Sequence, residues 1–518
     1  MRVRFRGGVV AAARPGATSV VIDGDTIVWV GSDSDDPGAV DQVVELDGAL
    51  MLPAFVDAHV HATSTGLLLT GIDLRHATSA GDLLQRVREH ARTQPDGMLL
   101  GHGWDETAWT DPTLPTRSDL DDACGHRACY LSRIDVHSAL VSTALVEAAH
   151  ADRGADPREC AGYRDTSVSQ EAHHAVREAA LSRITPMQRR AAQQAFAHEA
   201  RAHGIASVHE MAGPVISGEE DFREVLSLTD LHVVGYWGEL ARDGGVERAR
   251  GLGATGAAGD LFVDGALGSR TACLSHAYAD EPTNGASYLD LADATDHIVA
   301  ATRAGLQAGF HVIGDAACSM VVRAFHAAAT ILGEEPLRAA RHRLEHAEML
   351  DDAAISTLAR YQATASMQSV FDELWGGRTG MYAQRLGVER ALTLNRLADL
   401  QSAGVPIALG SDTPVTPVGP WRAIRAAVHH RTPGQSLTVA QALAAHTVAG
   451  WRAAGIDHAG NIDVGQSAHL AVWSPTDIDI ASWQSGIAVP AEGDPQAVAT
   501  IVAGRVVHGA LAGRRGQG

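Results

Sequence analysis

Short apolar runs recur through the middle of the chain, separated by longer Ala- and Arg-rich stretches with helical spacing. Eight runs stand out, at residues 54–59, 206–211, 232–237, 260–266, 310–314, 343–347, 364–370 and 406–412. Runs that are apolar on both parities are the mark of parallel strands, because helices cover both faces of such a sheet. Strand and helix in alternation predict βα units, and eight parallel strands close into a (β/α)8 barrel with the helices outside. Two further strand-like runs, 98–102 and 128–134, lie in the long stretch after the first strand. Residues of about 66–200 are therefore expected to form an insertion on the catalytic face.

Both ends of the chain have a different rhythm. Residues 20–23 and 26–31 alternate around an Asp23-Gly24-Asp25 turn, and 470–473 and 498–507 are β-branched runs, the second broken at Ala503-Gly504. A chain of 518 residues is too long for one compact core. The expectation is a small β-sandwich built from residues 1–52 and 456–518, with the barrel, residues 53–455, inserted between them.

Composition narrows the function. The formal net charge of −21, from 41 basic and 62 acidic residues, is the wrong sign for a nucleic-acid partner. No run approaches the ~20 apolar residues that span a bilayer. The basic start, Met1 to Arg6, is followed by an apolar stretch too short for a signal peptide, so a cytoplasmic location is expected. Five cysteines include no CxxC pair, which points to free thiols rather than a disulfide framework. All 41 basic residues are arginine. With no lysine, a Walker-A loop, a Schiff base and a carboxylated-lysine metal bridge are excluded. Twenty-six histidines leave ample imidazole for a metal.

The candidate chemistry sits at strand ends. In Phe55-Val-Asp-Ala-His59-Val-His61 the period of two sends both imidazoles to one face at the mouth of the barrel. His311 falls on the fifth strand, His346 on the sixth, and Asp412 at the end of the eighth. Active sites of such barrels lie at the C-terminal strand ends. Polar groups inside apolar runs must find partners when buried, and a shared metal supplies one. Two other patterns lack their context. Gly251-Leu-Gly253-Ala-Thr-Gly256 matches G-x-G-x-x-G but precedes a strand, and His209-Glu210 opens a zincin-like motif without its second histidine.

The chain resembles the amidohydrolase superfamily, in its YtcJ-like branch (amidohydrolase family 3), which includes N-substituted formamide deformylase. The stretches that carry the resemblance are PAFVDAHVH, GHGWDETAW, LSRIDVHSALVSTAL, FVDGALGSRTA, HVIGDAA, RLEHAEM, SMQSV, LGSDTPV and GNIDVGQSAHLAVW, in family order over nearly the whole chain. The resemblance implies hydrolysis of an amide-type C–N bond in a small molecule by metal-activated water. It implies His59, His61, His311 and His346 as ligands and Asp412 as ligand and proton shuttle, with His346 or His137 stabilising the oxyanion. Trp104, Asp105, Asp135, Arg270 and Gln368 are implied as substrate contacts.

Two positions depart from the family pattern. Many relatives carry a lysine at the start of the fourth strand that bridges two metals. Asp260 stands there in this chain, and its arm is much shorter. Asp264 and Glu210 are other carboxylates within the same region, and a structural role weighs as much for all three. One zinc per chain is accordingly the expected state, with two or another divalent metal as alternatives. His469 replaces an aspartate in the terminal sandwich, without expected catalytic consequence. Two other functions fit parts of the pattern: deamination of a cyclic amidine, and a catalytically silent barrel that acts as a binding protein. A homodimer is the commonest closed assembly for such a chain.

Overall fold

Eight parallel strands pair side by side in chain order. They are β1 (Phe55–Val60), β2 (Ile205–Ala212), β3 (His232–Trp237), β4 (Gly256–Ala257), β5 (Gln307–Val312), β6 (Arg343–His346), β7 (Thr364–Met367) and β8 (Ile407–Leu409). The computed structural model describes residues 1–94, 96–106, 109–134, 138–153, 156–478, 493–511 and 513–515. The chain divides into two units, Met1–His61 with Ala197–Gly518, and Ala62–Phe196.

In the first unit the ladder nearly closes on itself. Val60 bridges to Thr413, the His61 N–H donates to the Thr413 carbonyl (3.0 Å), and the Asp412 N–H donates to the His59 carbonyl (2.8 Å). This is the (β/α)8 barrel expected from the periodicity. β1 is buried at every position. Val56 packs on Trp451 and Ala58 on Ala453, both in the last barrel helix (Val448–Ala453). That leaves Asp57, His59 and His61 on the opposite parity.

The closing seam depends on a glycine. A Cβ at Gly410 would stand 2.6 Å from the His59 backbone nitrogen, too close for any real side chain. The chain after β8 can approach β1 only because that position is bare, and this approach brings Asp412 beside His59.

The fourth strand differs from expectation. The run at 260–266 is expected to be the strand; continuous pairing instead covers Gly256–Ala257 and is interrupted before it resumes at a single bridge within the run. Gly259, at φ 87°, turns the chain out of the extended conformation. Beyond it, Phe262 bridges back to His311. The apolar character of 260–266 reflects burial at the barrel mouth, where Leu261, Val263 and Asp264 are enclosed, with pairing limited to the one bridge at Phe262. Asp260 thus follows the strand's C-terminal end instead of opening the strand.

Both chain ends share two five-stranded sheets. One joins Arg2–Arg6, Ser19–Asp23, Thr26–Gly31 and Gln42–Glu45 to Gly513–Arg515. The other joins Val9–Val10 and Leu50–Pro53 to Leu470–Trp473, Ala499–Val502 and Arg505–Gly509. Val20, Ile22, Met51, Leu470 and Ile501 meet in one core between them. One helix, Asp315–Leu332, passes the length and hydropathy test for a membrane span. It is a barrel helix whose Val321, Ala324, Phe325 and Ala328 are buried.

The second unit, Ala62–Phe196, has its own sheet, in the order Val168–Ser169, Ser138–Val141, Cys129–Arg133, Leu99–Trp104, Ile72–Asp73. Its two faces feed separate cores. Leu131 and Leu140 pack with Leu83 and Val87, and Tyr130 and Val141 pack with Leu145 and Val176. The strand-like runs 98–102 and 128–134 are its central strands.

Gly410→Ala should force β1 and the chain after β8 apart. The expected loss of about 1–3 kcal/mol is measured by urea denaturation, and unchanged stability would show that the seam has slack.

Candidate metal centre

The barrel mouth gathers four imidazoles and two carboxylates. His59 Nε2 lies 3.5 Å from Asp260 Oδ1 and 3.4 Å from Asp412 Oδ1, and His61 Nε2 lies 3.1 Å from Asp260 Oδ2 and 3.4 Å from Asp412 Oδ1. His311 Nδ1 is 3.5 Å and His346 Nε2 is 3.7 Å from Asp260 Oδ1. Among the described residues, two sets of three have ligand atoms close enough for one ion: His59, Asp260 and His346, and His59, His61 and Asp412.

Local backbone geometry aims two of these groups. β6 ends at His346, which adopts φ 67°, and Asp412 adopts φ 55°. Left-handed conformations are uncommon for residues with a Cβ and concentrate at functional sites. Asp57 helps to hold the second of these turns, because its Oδ1 accepts the Ser411 N–H (2.8 Å).

Each imidazole has one nitrogen fixed and the other facing the cluster. His59 Nδ1 donates to Glu345 Oε2 (2.9 Å), His61 Nδ1 to the Met211 carbonyl (3.0 Å), and His346 Nδ1 to Gln368 Oε1 (2.9 Å). His311 is turned the other way, its Nε2 lying 3.4 Å from the Gly265 carbonyl. The opposite atoms His59 Nε2, His311 Nδ1 and His346 Nε2, together with Asp260 Oδ1, are buried without a hydrogen-bond partner.

These orphaned atoms test whether the residues fit a metal. Charge-assisted N–H···O bonds are normally about 2.7–2.9 Å long, shorter than the spacings between the imidazoles and carboxylates. Ligand atoms around one tetrahedral zinc, each at about 2.1 Å, lie about 3.4 Å apart. The donor set and its spacing therefore suit a divalent ion better than a salt-bridge network. Electrostatics agree in sign. Burial works to raise both carboxyls, but His59 ahead of the other imidazoles outweighs it, holding Asp260 well below the usual range and Asp412 below it. Burial works to lower the imidazoles, yet Asp260 and Asp412 drive His59 well above its usual value and His61 up to about 10. The cluster attracts positive charge.

Asp260 is the carboxylate that all four histidines approach, so the short arm reaches because the residue stands past the end of β4. Asp264 has a different role. Its oxygens accept the N–H groups of Cys273 (2.8 Å), Ile313 (3.0 Å) and Gly314 (2.8 Å), which ties together the loops after β4 and β5. Glu210 is buried on β2 and belongs to neither three-residue set. Arg270 is bound by Asp280 (2.8 Å) and Glu281 (3.2 Å). Gln368, expected to contact substrate, orients His346 and keeps its Nε2 buried without a partner.

In the second unit, the Trp104 indole donates to the Leu131 carbonyl (2.8 Å), and Asp105 (2.8 Å) and Glu106 (2.9 Å) both grip Arg133, which anchors that loop. Asp135 and His137 lie outside the described residues. Reading the sequence alone missed Arg343 and Glu345, which adjoin His346 in the RLEH stretch. The signal was present as two opposite charges two residues apart, beside His346, in a short strand-like stretch.

A family model described as "Amidohydrolase family" matches residues 42–508. The chain belongs to this amidohydrolase family. The putative amidohydrolase YtcJ of Bacillus subtilis (strain 168) is 31% identical, over 74% of this chain and 74% of that protein. N-substituted formamide deformylase of Arthrobacter pascens is 22% identical, over 90% of this chain and 91% of that protein. A solved structure of an uncharacterized metal-dependent hydrolase from Pyrococcus furiosus shares the fold, with a TM-score of 0.74 at 24% identity over 91% of this chain and 98% of that one. As an amidohydrolase the chain is a metal-dependent hydrolase, and the family read from its motifs is the one the comparisons show.

Asp264→Asn places an amide against three backbone donors. It should lower stability by about 1–3 kcal/mol in chemical denaturation while metal content per chain stays unchanged. Metal loss from a folded variant would show that the loops Asp264 ties together also hold the metal ligands in place.

Proposed function

We propose that this amidohydrolase cleaves the C–N bond of a small amide or N-substituted formamide, using one zinc ion per chain. The observation that carries this reading is the set of unpartnered ligand atoms converging at the barrel mouth. The Arthrobacter relative's name supports the choice of bond. His59 would hold the ion together with Asp260 and His346 or with His61 and Asp412, which leaves a position for water or substrate, and His311 faces the same cluster. One ion is favoured because both three-residue sets draw on the single lone pair of His59 Nε2, whose Nδ1 is engaged by Glu345.

When bound, the ion supplies Lewis acidity, which polarises a carbonyl and brings the pKa of water to about 7. The protein's own groups divide the remaining work. Asp412, fixed by its N–H to the His59 carbonyl, takes the proton of the attacking water and returns it to the leaving nitrogen. Gln368 keeps His346 in one tautomer and offers its unpartnered Nε2 to the substrate oxygen as negative charge develops there. A substrate with one carbonyl and a nitrogen leaving group needs no more than these groups.

Asp412→Asn should reduce turnover by about 100-fold or more on a panel of amides and N-substituted formamides, read as amine release. Near-normal turnover in this variant contradicts the shuttle. Ammonia release from cyclic amidines, with no amide cleavage by the unmodified chain, contradicts the assigned bond.

A further inference from the structure

β6 buries a charged pair inside the barrel, Arg343 and Glu345, both with no solvent exposure. Arg343 Nε and Nη2 hold the two oxygens of Glu345, with Nη2 at 3.0 Å. Arg343 Nη2 also lies within reach of the Ala58 carbonyl (2.7 Å) and Ser366 Oγ (3.1 Å), and Nη1 donates to His209 Nδ1 (3.0 Å). Its guanidinium lies 4.3 Å from the centroid of the Tyr236 ring. The network thus ties β6 to β1, β2, β3 and β7.

Stability alone does not account for such a pair. Burying two charges carries a desolvation penalty that their attraction rarely exceeds, and an apolar pair of the same volume is commonly as stable. The pair's contact with His59 gives it another role. Among the described residues, the acceptor behind His59 is a carboxylate. His61, His311 and His346 rest on two backbone carbonyls and an amide. His59 is also the residue common to both possible ligand sets.

We propose that Arg343 and Glu345 are positioning residues for the metal centre. Glu345 fixes His59 as the Nδ1–H tautomer with Nε2 aimed at the cluster and increases that nitrogen's donor strength. Arg343 holds Glu345 in register across five strands. The inference rests on the reading of His59 as a ligand. A carboxylate behind a ligating imidazole typically changes metal affinity by about 10–100-fold, and the pair would set affinity from within the barrel, without touching substrate.

The test titrates the full chain with cobalt(II), read by its visible absorption against a competing chelator, alongside thermal denaturation of the metal-free protein. E345Q keeps an acceptor for Nδ1 but removes the charge. The double variant R343M/E345Q removes both charges and leaves no buried ion unpaired. Folded variants are expected to bind cobalt about 10–100-fold more weakly, with shifted absorption bands. Val20→Ala, which loosens the core between the two terminal sheets, should leave cobalt affinity unchanged. An unmodified chain that takes up no cobalt contradicts the metal-centre reading and this proposal with it. An unmodified chain and folded variants that bind equally tightly overturn the positioning role alone. If neither variant folds, a crystal structure of the cobalt-loaded unmodified chain decides: metal on His59 Nε2 with Glu345 on Nδ1 supports the role, and metal on Nδ1 overturns it.

Discussion

Four imidazoles and two carboxylates, all largely out of water, meet at the barrel mouth and satisfy one another only in part. Asp260 Oδ1, His59 Nε2, His311 Nδ1 and His346 Nε2 have no hydrogen-bond partner. Buried polar atoms left in that state are strongly destabilising. A divalent cation answers His59, Asp260 and His346 together, and much of the surrounding structure holds the ligand atoms ready for it. Strand ends from opposite sides of the ladder deliver His59, His311 and His346. Left-handed turns at His346 and Asp412 bend side chains into the mouth. The bare Gly410 lets the last strand close against the first.

Tautomer control connects this constraint to chemistry. A histidine offers a lone pair on one nitrogen only when the other carries its proton, so the acceptors behind the imidazoles matter as much as the imidazoles. Each acceptor comes from a different part of the barrel: Glu345 from β6, the Met211 carbonyl from β2, Gln368 from beyond β7 and the Gly265 carbonyl from the loop after β4. The closed ladder fixes these distances.

Much of this was legible in the sequence. Apolar runs on both parities gave the parallel strands, and the His-x-His step and the isolated histidines in later runs gave the rim. The bounds of the fourth strand were not legible, because hydrophobicity reports burial, and Leu261, Val263 and Asp264 are buried where continuous pairing has already ended and only one bridge, at Phe262, remains. That error made Asp260 look too short and too far back. The turn at Gly259 that brings it forward depends on a backbone angle which composition does not encode. Asp264 and Asp260 share a parity and a residue type, so only the three backbone N–H groups around Asp264 tell the structural carboxylate from the one in the cluster. Arg343 and Glu345 were visible as charges in a buried strand, but their partners lie across the barrel, on β1, β2, β3 and β7.

The central claim is that the cluster is a single-ion metal centre organised on Asp260. Metal content by inductively coupled plasma mass spectrometry, on chain purified without chelator, tests it directly in the unmodified protein and in Asp260→Ala. The account predicts about one equivalent of divalent metal per chain, lost in the folded variant. Two equivalents in the unmodified chain, full occupancy without Asp260, or no metal even after incubation with zinc would contradict it.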